Sequence, residues 1–316
     1  MSIFNRFHRA ISSFNHVTQR WVAIPLRDPH DPMTQRPSSH PADATGNGNG
    51  KQSLSLTSWN IQASPIGDVA RSKLILDHIL KGPKFSDIIH LQEVTSRVRQ
   101  SLLDDARVRS GFLTTDAEDD TSFDRRPFAT MTLLSSKRFG TPFLDEEAEG
   151  GGKLMLDSVF RMELLSRYKR DALCVDITAP AAPGAVFRLL NVHLNSLDSH
   201  FRRLLQMREL AGLLREPRSK GGIIAGDFNA ISPKDHRLVD ENELLDAWVA
   251  LHGSTGPDGA TWGVGVKLEG GLKAGRLDKV VMLGLKPDEI EVLRPGLIGA
   301  GKPWSDHRGL HCTFTI

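Results

Sequence analysis

Short apolar runs dominate the chain, and most of them end on polar residues. Leu54 to Ile61 alternates apolar and polar positions, which predicts a strand. Asp68 to Leu80 carries Val69, Leu74, Ile75, Leu76, Ile79 and Leu80 near helical spacing and predicts a helix. Asp87 to Leu91 reads as a short buried strand and Ser96 to Val108 as a helix. Phe128 to Leu134, Ser158 to Leu164, Ala172 to Ile177 and Val186 to Leu194 are four further strands. Asp198 or Ser199 caps a helix with Phe201, Leu204, Leu205, Leu210, Leu213 and Leu214 on its apolar face. The glycine-bounded run Gly221 to Asp227 is a buried strand. Glu241 to Leu251 reads as helix, and Leu277 to Leu283, Glu289 to Leu293 and Gly309 to Ile316 as strands. Helices at some crossings and direct strand connections at others predict a mixed sheet system with helices outside, an α/β (α+β) fold.

The first 52 residues stand apart. Residues 1–30 hold Arg6, Arg9, Arg20 and Arg27 with no acid before Asp28, and Phe4, Phe7, Ile11, Phe14 and Trp21 fall near helical spacing. Such a start is compatible with a mitochondrial presequence; the alternative is an extension that packs through Phe14, Trp21, Val22 and Ile24. Residues 31–52, rich in Pro, Ser, Gly and Asn, read as a flexible linker. The expected organisation is an extension and linker over 1–52 and one catalytic domain over 53–316. The acidic loops Asp116 to Asp124 and Asp145 to Gly152 are expected in solvent.

Composition narrows the class only a little. With 39% hydrophobic and 25% charged residues, 316 residues suffice for a sizeable core. Lys+Arg number 40 against 38 Asp+Glu, so any basic surface must be local. Cys174 and Cys312, the only cysteines, sit in apolar runs, which fits a reducing compartment and supplies no zinc pattern. No run approaches the roughly 18–20 apolar residues of a membrane span. The expectation is an intracellular monomer, nuclear or cytoplasmic, or mitochondrial if the N-terminus is a presequence.

The chemistry lies at strand ends. Ser58-Trp59-Asn60 ends the first strand, Leu91-Gln92-Glu93-Val94 the next, and Asn191-Val192-His193-Leu194-Asn195-Ser196 a later one. Gly226-Asp227-Phe228-Asn229 follows, then Arg276-Leu277-Asp278-Lys279 and Trp304-Ser305-Asp306-His307. Singly, each has an ordinary explanation as a turn, a helix cap, a core histidine or a surface pair. No turn or cap requires six strand ends to carry Asn, Glu, His, Asp/Asn, Asp and Asp/His.

In this order the motifs resemble the endonuclease/exonuclease/phosphatase superfamily, the fold of DNase I and exonuclease III, over roughly residues 53–316. The chain looks most like its tyrosyl-DNA phosphodiesterase 2 branch, through the same motifs with Arg170-Asp171-Ala172-Leu173-Cys174-Val175, Thr261-Trp262 and Arg308-Gly309-Leu310. The resemblance implies a four-layer αββα sandwich, DNase I-like, of two packed mixed β-sheets with helices outside. It also implies a phosphodiesterase that uses Mg²⁺ (or Mn²⁺) on nucleic acid, at DNA ends or adducts. Three positions depart from that branch: Gln62 replaces an acidic residue, Asn195 replaces Glu, and Ala230-Ile231-Ser232 lacks an Arg.

Phosphodiester cleavage needs charge neutralisation, an activated water and a stabilised leaving group. Hard cations prefer carboxylate, carboxamide and water oxygens, so Glu93, Asn60 and Asp306 are the expected metal residues. Asp227 is the expected general base, with Asn229 holding water or a phosphate oxygen. His193 and His307 would face the phosphate, and Asp278 resembles the family's carboxylate that orients His307. Trp262, Asn195 and Ser305 are the expected substrate contacts, Trp262 as a stacking platform. Arg167, Lys169 and Arg170 read as a solvated basic face. Two other readings keep the scaffold: a sphingomyelinase-like phosphoesterase acting on phospholipid or phosphoinositide, and a catalytically silent binding protein.

Overall fold

The computed structural model describes residues 5–26, 52–124, 126–141, 153–178, 185–254, 257–266, 268 and 272–316. The linker 31–52 except for Gln52, and the acidic loop Asp145 to Gly152, lie outside the described residues. The chain begins with strands β1 (Arg6–His8), β2 (Ile11–Asn15), β3 (Arg20–Ile24) and β4 (Ser53–Asn60), followed by helix α1 (Asp68–Lys81). Then come β5 (Ile88–Val94), α2 (Ser96–Leu103), α3 (Ala106–Gly111), β6 (Phe112–Thr115), β7 (Ala129–Ser135) and β8 (Phe139–Gly140). The middle holds β9 (Leu154–Glu163), β10 (Asp171–Thr178), β11 (Val186–His193), α4 (His200–Leu214), β12 (Ser219–Asp227) and α5 (Pro233–Glu241). The last third adds β13 (Leu245–Asp246), α6 (Ala247–His252), β14 (Asp278–Leu283), β15 (Lys286–Leu293), a small hairpin of β16 (Leu297–Ile298) and β17 (Lys302–Pro303), and β18 (Gly309–Thr315).

Two mixed sheets result. One runs β1-β9-β10-β11-β12-β14-β13 with β8 beside β9; the other runs β15-β18-β4-β5-β7-β6-β2-β3. Pairs β4–β5 and β11–β12 are parallel while their other large-sheet neighbours are antiparallel. Alternation along each strand decides which core a side chain joins. In β10, Leu173, Val175 and Ile177 enter the core between the sheets, whereas Ala172 and Cys174 join Met207 and Leu210 of α4 in an outer core. In β4, Leu54 and Leu56 face the central core and Trp59 joins Ile75 and Ile79 of α1 on the far side. The layers are therefore helix, sheet, sheet, helix.

Towards one end the central core turns polar. Gln92 Nε2 donates to Asn191 Oδ1 across the sandwich at 2.9 Å, and Asn191 Nδ2 donates to the Met131 carbonyl at 2.9 Å. Gly226 permits the close approach of β12 to β11: a Cβ there would lie 1.9 Å from the Val192 carbonyl oxygen. This brings the end of β12 beside the end of β11.

Several sequence expectations need correction. The N-terminal segment forms strands, not a helix: β1 pairs with β9, and the β2–β3 hairpin with β6, so strand pairing begins ahead of residue 53. Ile11 and Phe14 are three apart, which on a strand sends them to opposite faces, Ile11 into the central core and Phe14 against Trp21. Glu241 to Leu251 is not one helix; α5 ends at Glu241, and α6 restarts after Asp246 accepts from the Trp248 and Val249 amides. Ser96 to Val108 likewise divides where Asp105 caps α3. Phe201 is exposed rather than on the apolar face of α4, and Asp116 is buried, paired with the buried Arg161 at 2.9 Å.

His90 on β5 is fully buried, and burial pushes its pKa down to about 3. The folded state then binds fewer protons than the unfolded chain between about pH 3 and 6.5, so this residue makes stability fall as pH falls through that window. Chemical denaturation at pH 7 and pH 5 checks this. His90→Leu is expected to reduce the acid-side loss by up to about 1.4 kcal/mol per pH unit, whereas an unchanged slope contradicts the assignment.

Candidate active site

The site is a row on one sheet facing a row on the other. On the first sheet His193 is level with Asp227 across β11–β12, and Asp227 is level with Asp278 across β12–β14. On the second, Asn60 at the end of β4 is level with Gln92, which places Glu93 one residue further along β5. Glu93 takes a left-handed backbone, φ 59, at a register shift in β5. Asn60 joins the rows: its Nδ2 donates to Glu93 Oε1 at 3.1 Å and to Asp227 Oδ2 at 3.0 Å. Its Oδ1 accepts the Gln62 amide at 3.0 Å, and that fixes which end of the carboxamide faces the carboxylates. Glu93 Oε2 in turn accepts the Ala63 amide at 2.7 Å.

His307 arrives from the turn before β18. Trp59 Nε1 donates to its carbonyl at 3.1 Å, and Ser305 Oγ accepts its amide at 3.1 Å while donating to the Asn60 carbonyl at 2.7 Å. The His307 Nδ1 lies 2.8 Å from Asp278 Oδ2, and Nε2 lies 3.8 Å from Asp227 Oδ2. Asp278 is held by Thr261 Oγ1, which accepts the Leu277 and Asp278 amides at 3.0 and 2.9 Å. His193 Nε2 lies 3.3 Å from Asp227 Oδ2, with its ring stacked on Phe128 at 5.7 Å.

These contacts set the charges. Burial pushes the Asp227 carboxyl upward; His307 opposes that rise and Asp278 adds to it. Burial also opposes charge on His307, but Asp278 and Asp227 outweigh it and raise its pKa. His193 goes the other way, since burial, Arg170 and His307 all disfavour its charged form. One histidine is thus held charged and the other neutral. Ligand-type atoms of Asp227, Asp278 and His307 lie within 4.8 Å of one another. Within this trio Asp278 is hydrogen-bonded to one ring nitrogen of His307, and Asp227 faces the other at ion-pair distance.

A cleft of about 730 Å³ opens over the two rows, lined by Glu93, Asp227, Asn229, His193, His307 and Asp306. Trp262, Phe128, Tyr168 and Arg170 form another wall. Trp262 Nε1 donates to Asp306 Oδ2 at 3.2 Å. Glu93 and Asp306 both offer carboxylate oxygen to the cleft, a donor set that suits a hard divalent cation, which keeps most of its waters. Asn60 is fully buried beneath them, with Nδ2 on Glu93 and Asp227 and Oδ1 accepting the Gln62 amide. Asn195 and Ser305 are likewise fully buried. Asn195 Oδ1 accepts the Ser166 hydroxyl and the Arg167 amide and so holds the loop that lines the cleft. Asn229 lines the cleft while its Nδ2 donates to the Leu194 carbonyl at 3.1 Å. Arg167 and Lys169 are exposed as expected, but Arg170 turns into the cleft wall over Phe128 and Tyr168, with ring distances of 5.0 and 5.5 Å. The sequence places Thr261 in a motif and Phe128 in a strand but signals neither the Thr261 bonds at Asp278 nor the Phe128 stack on His193.

Asp278→Asn is expected to lower the His307 titration midpoint by on the order of one pH unit or more, read by ring-nitrogen NMR without added metal. An unchanged midpoint would contradict the role of Asp278 in holding His307 charged.

The comparisons agree with this geometry. The model of the endonuclease/exonuclease/phosphatase family matches residues 57–307. No curated protein sequence matches the chain. Among solved structures, TDP2 from D. rerio, complexed with a single-strand DNA product, has TM-score 0.63 at 20% identity, covering 83% of this chain and 98% of that one. Truncated TDP2 from Caenorhabditis elegans has TM-score 0.61 at 20% identity, covering 84% and 98%. A mannosyl-6-phosphatase from Bacteroides thetaiotaomicron has TM-score 0.56 at 13% identity, covering 83% and 100%. At these identities the structural likeness speaks for the fold, while the family match spans most of the chain. The chain belongs to the endonuclease/exonuclease/phosphatase family of hydrolases.

Proposed function

We propose that the protein is a Mg²⁺- or Mn²⁺-dependent phosphodiesterase acting at nucleic-acid ends. The observation that carries this reading is the Asp227 carboxylate, buried between a charged His307 and the Asn60–Glu93 pair at the floor of an open cleft. Asp227 takes a proton from the attacking water, and its burial-raised pKa makes it a stronger base than an exposed carboxylate. His307, kept charged by Asp278, donates towards the non-bridging oxygens as negative charge develops. His193, neutral and stacked on Phe128, orients Asp227. A divalent cation held by Glu93 and Asp306 would neutralise phosphate charge as a Lewis acid. Trp262 and Tyr168 offer faces for a base or an aromatic leaving group. The fold likeness to a TDP2 bound to single-strand DNA product supports a nucleic-acid substrate; the phosphatase on the same fold is a reminder that the scaffold alone does not choose.

One observation favours a second reading. Leu197, Ile231 and Leu272 line the same cleft yet remain 68%, 45% and 55% exposed, aliphatic surface that also suits a phospholipid diester.

The test is hydrolysis of a 5′-tyrosyl oligonucleotide, abasic DNA, RNA and phospholipid vesicles with Mg²⁺, Mn²⁺ or chelator. Cation-dependent release from a nucleic-acid end is expected, and cleavage of phospholipid alone would select the second reading. Inertness on every diester would overturn both. Glu93→Ala and Asp227→Asn are each expected to lower kcat/KM by on the order of 10²–10³, and near wild-type rates in either would remove that residue from its role.

A further inference from the structure

Arg71 lies on the first turns of α1, outside the two catalytic rows, and is buried without a carboxylate hydrogen-bond partner. Its guanidinium is instead spent on oxygen atoms of two loops. From Nη2 it donates to the carbonyls of Gln62 and Ser64 at 2.8 and 3.0 Å, and from Nε to that of Ile66 at 3.2 Å. From Nη1 it donates to the carbonyls of Ile61 at 3.2 Å and Trp304 at 2.7 Å, and to Gln62 Oε1 at 3.3 Å. A planar fork with five N–H donors reaches these six acceptors with one Nη1 hydrogen shared, and an ammonium with three cannot.

Both loops lead straight to the cleft carboxylates. The first begins at Asn60 and carries Ala63, whose amide grips Glu93 Oε2. Within it Gln62 holds a left-handed backbone, φ 59, that a non-glycine residue does not keep without support. The second runs from Trp304 through Ser305, bonded to the Asn60 carbonyl, to Asp306. These segments lie more than 230 residues apart in sequence, and Arg71 is a side chain bonded to both.

We propose that Arg71 is the positioning residue of the cation site: by tying the 61–66 loop to Trp304 it fixes the spacing between Glu93 and Asp306. The inference rests on the metal-dependent reading above. Arg71 touches no substrate; it acts through the two backbones that present the carboxylates. Partners that orient metal ligands typically matter 10- to 100-fold in metal affinity.

The experiment measures Mn²⁺ binding to the full chain, by calorimetry and by Mn²⁺ electron paramagnetic resonance, together with Tm without metal. Arg71→Lys is expected to bind Mn²⁺ about 10- to 100-fold more weakly. Arg71→Ala is expected to regain affinity when millimolar guanidinium is added. Arg99→Lys supplies the comparison, since Arg99 is also buried and bonds the carbonyls of Asp116 and Ala117, which carry no cleft carboxylate. It is expected to lower Tm comparably and leave Mn²⁺ affinity within about twofold, inside the scatter of a change with no contact to the site. If Arg71→Lys binds Mn²⁺ as the wild type does, or Arg99→Lys weakens it equally, the positioning role is overturned while the proposed function stands. If wild-type protein binds no Mn²⁺, the metal-dependent reading falls, and the inference with it.

Discussion

The carboxamide nitrogen of Asn60 is shared between Glu93 on its own sheet and Asp227 on the opposite one. Two carboxylates so placed would repel each other, and burial would drive protons onto them. A neutral donor bonded to both relieves part of that cost and also ties the sheets together at their polar end. The Gln92–Asn191 bridge behind it continues the same polar seam into the core. Everything that makes the cleft reactive hangs on this seam. Glu93 is offered to solvent, Asp227 is kept buried, and Ser305, bonded to both the Asn60 carbonyl and the His307 amide, helps bring His307 to Asp227.

The seam also explains the unlike states of the two histidines. Both lie near Asp227, but only His307 has a second carboxylate, Asp278, on its other ring nitrogen. Two anions outweigh the burial of His307, whereas His193 has one carboxylate and the Arg170 charge nearby. A row of strand ends that looks symmetrical in sequence thus becomes a charged imidazole, a buried carboxylate and a neutral ring.

Most of this was legible where period-two alternation is strict, because alternation and burial are the same fact for a strand between two cores. The six strand-end motifs marked residues that do converge, since strand ends are where side chains leave the sheet. What stayed hidden involved backbone. Asn60, Asn195 and Ser305 carry the side chains of ligands, yet each also binds a backbone amide or carbonyl, which no spacing reveals. Arg71, on an otherwise amphipathic helix, reads as surface until its carbonyl partners are seen. The N-terminal strands were obscured because edge strands are half exposed, so three-residue apolar spacing imitates a helix. The helix α5 was signalled by Ser232-Pro233 and Asp235, a capping box with proline in the first turn, but it is only nine residues long.

The central claim is that Asn60 and Asp227 act as one unit across the sheets. A double-mutant cycle of Asn60→Ala and Asp227→Ala, read in kcat/KM for cation-dependent diester hydrolysis, tests it directly. The account predicts that the double variant is no slower than the slower single variant. Losses that simply multiply would show two independent residues and contradict it.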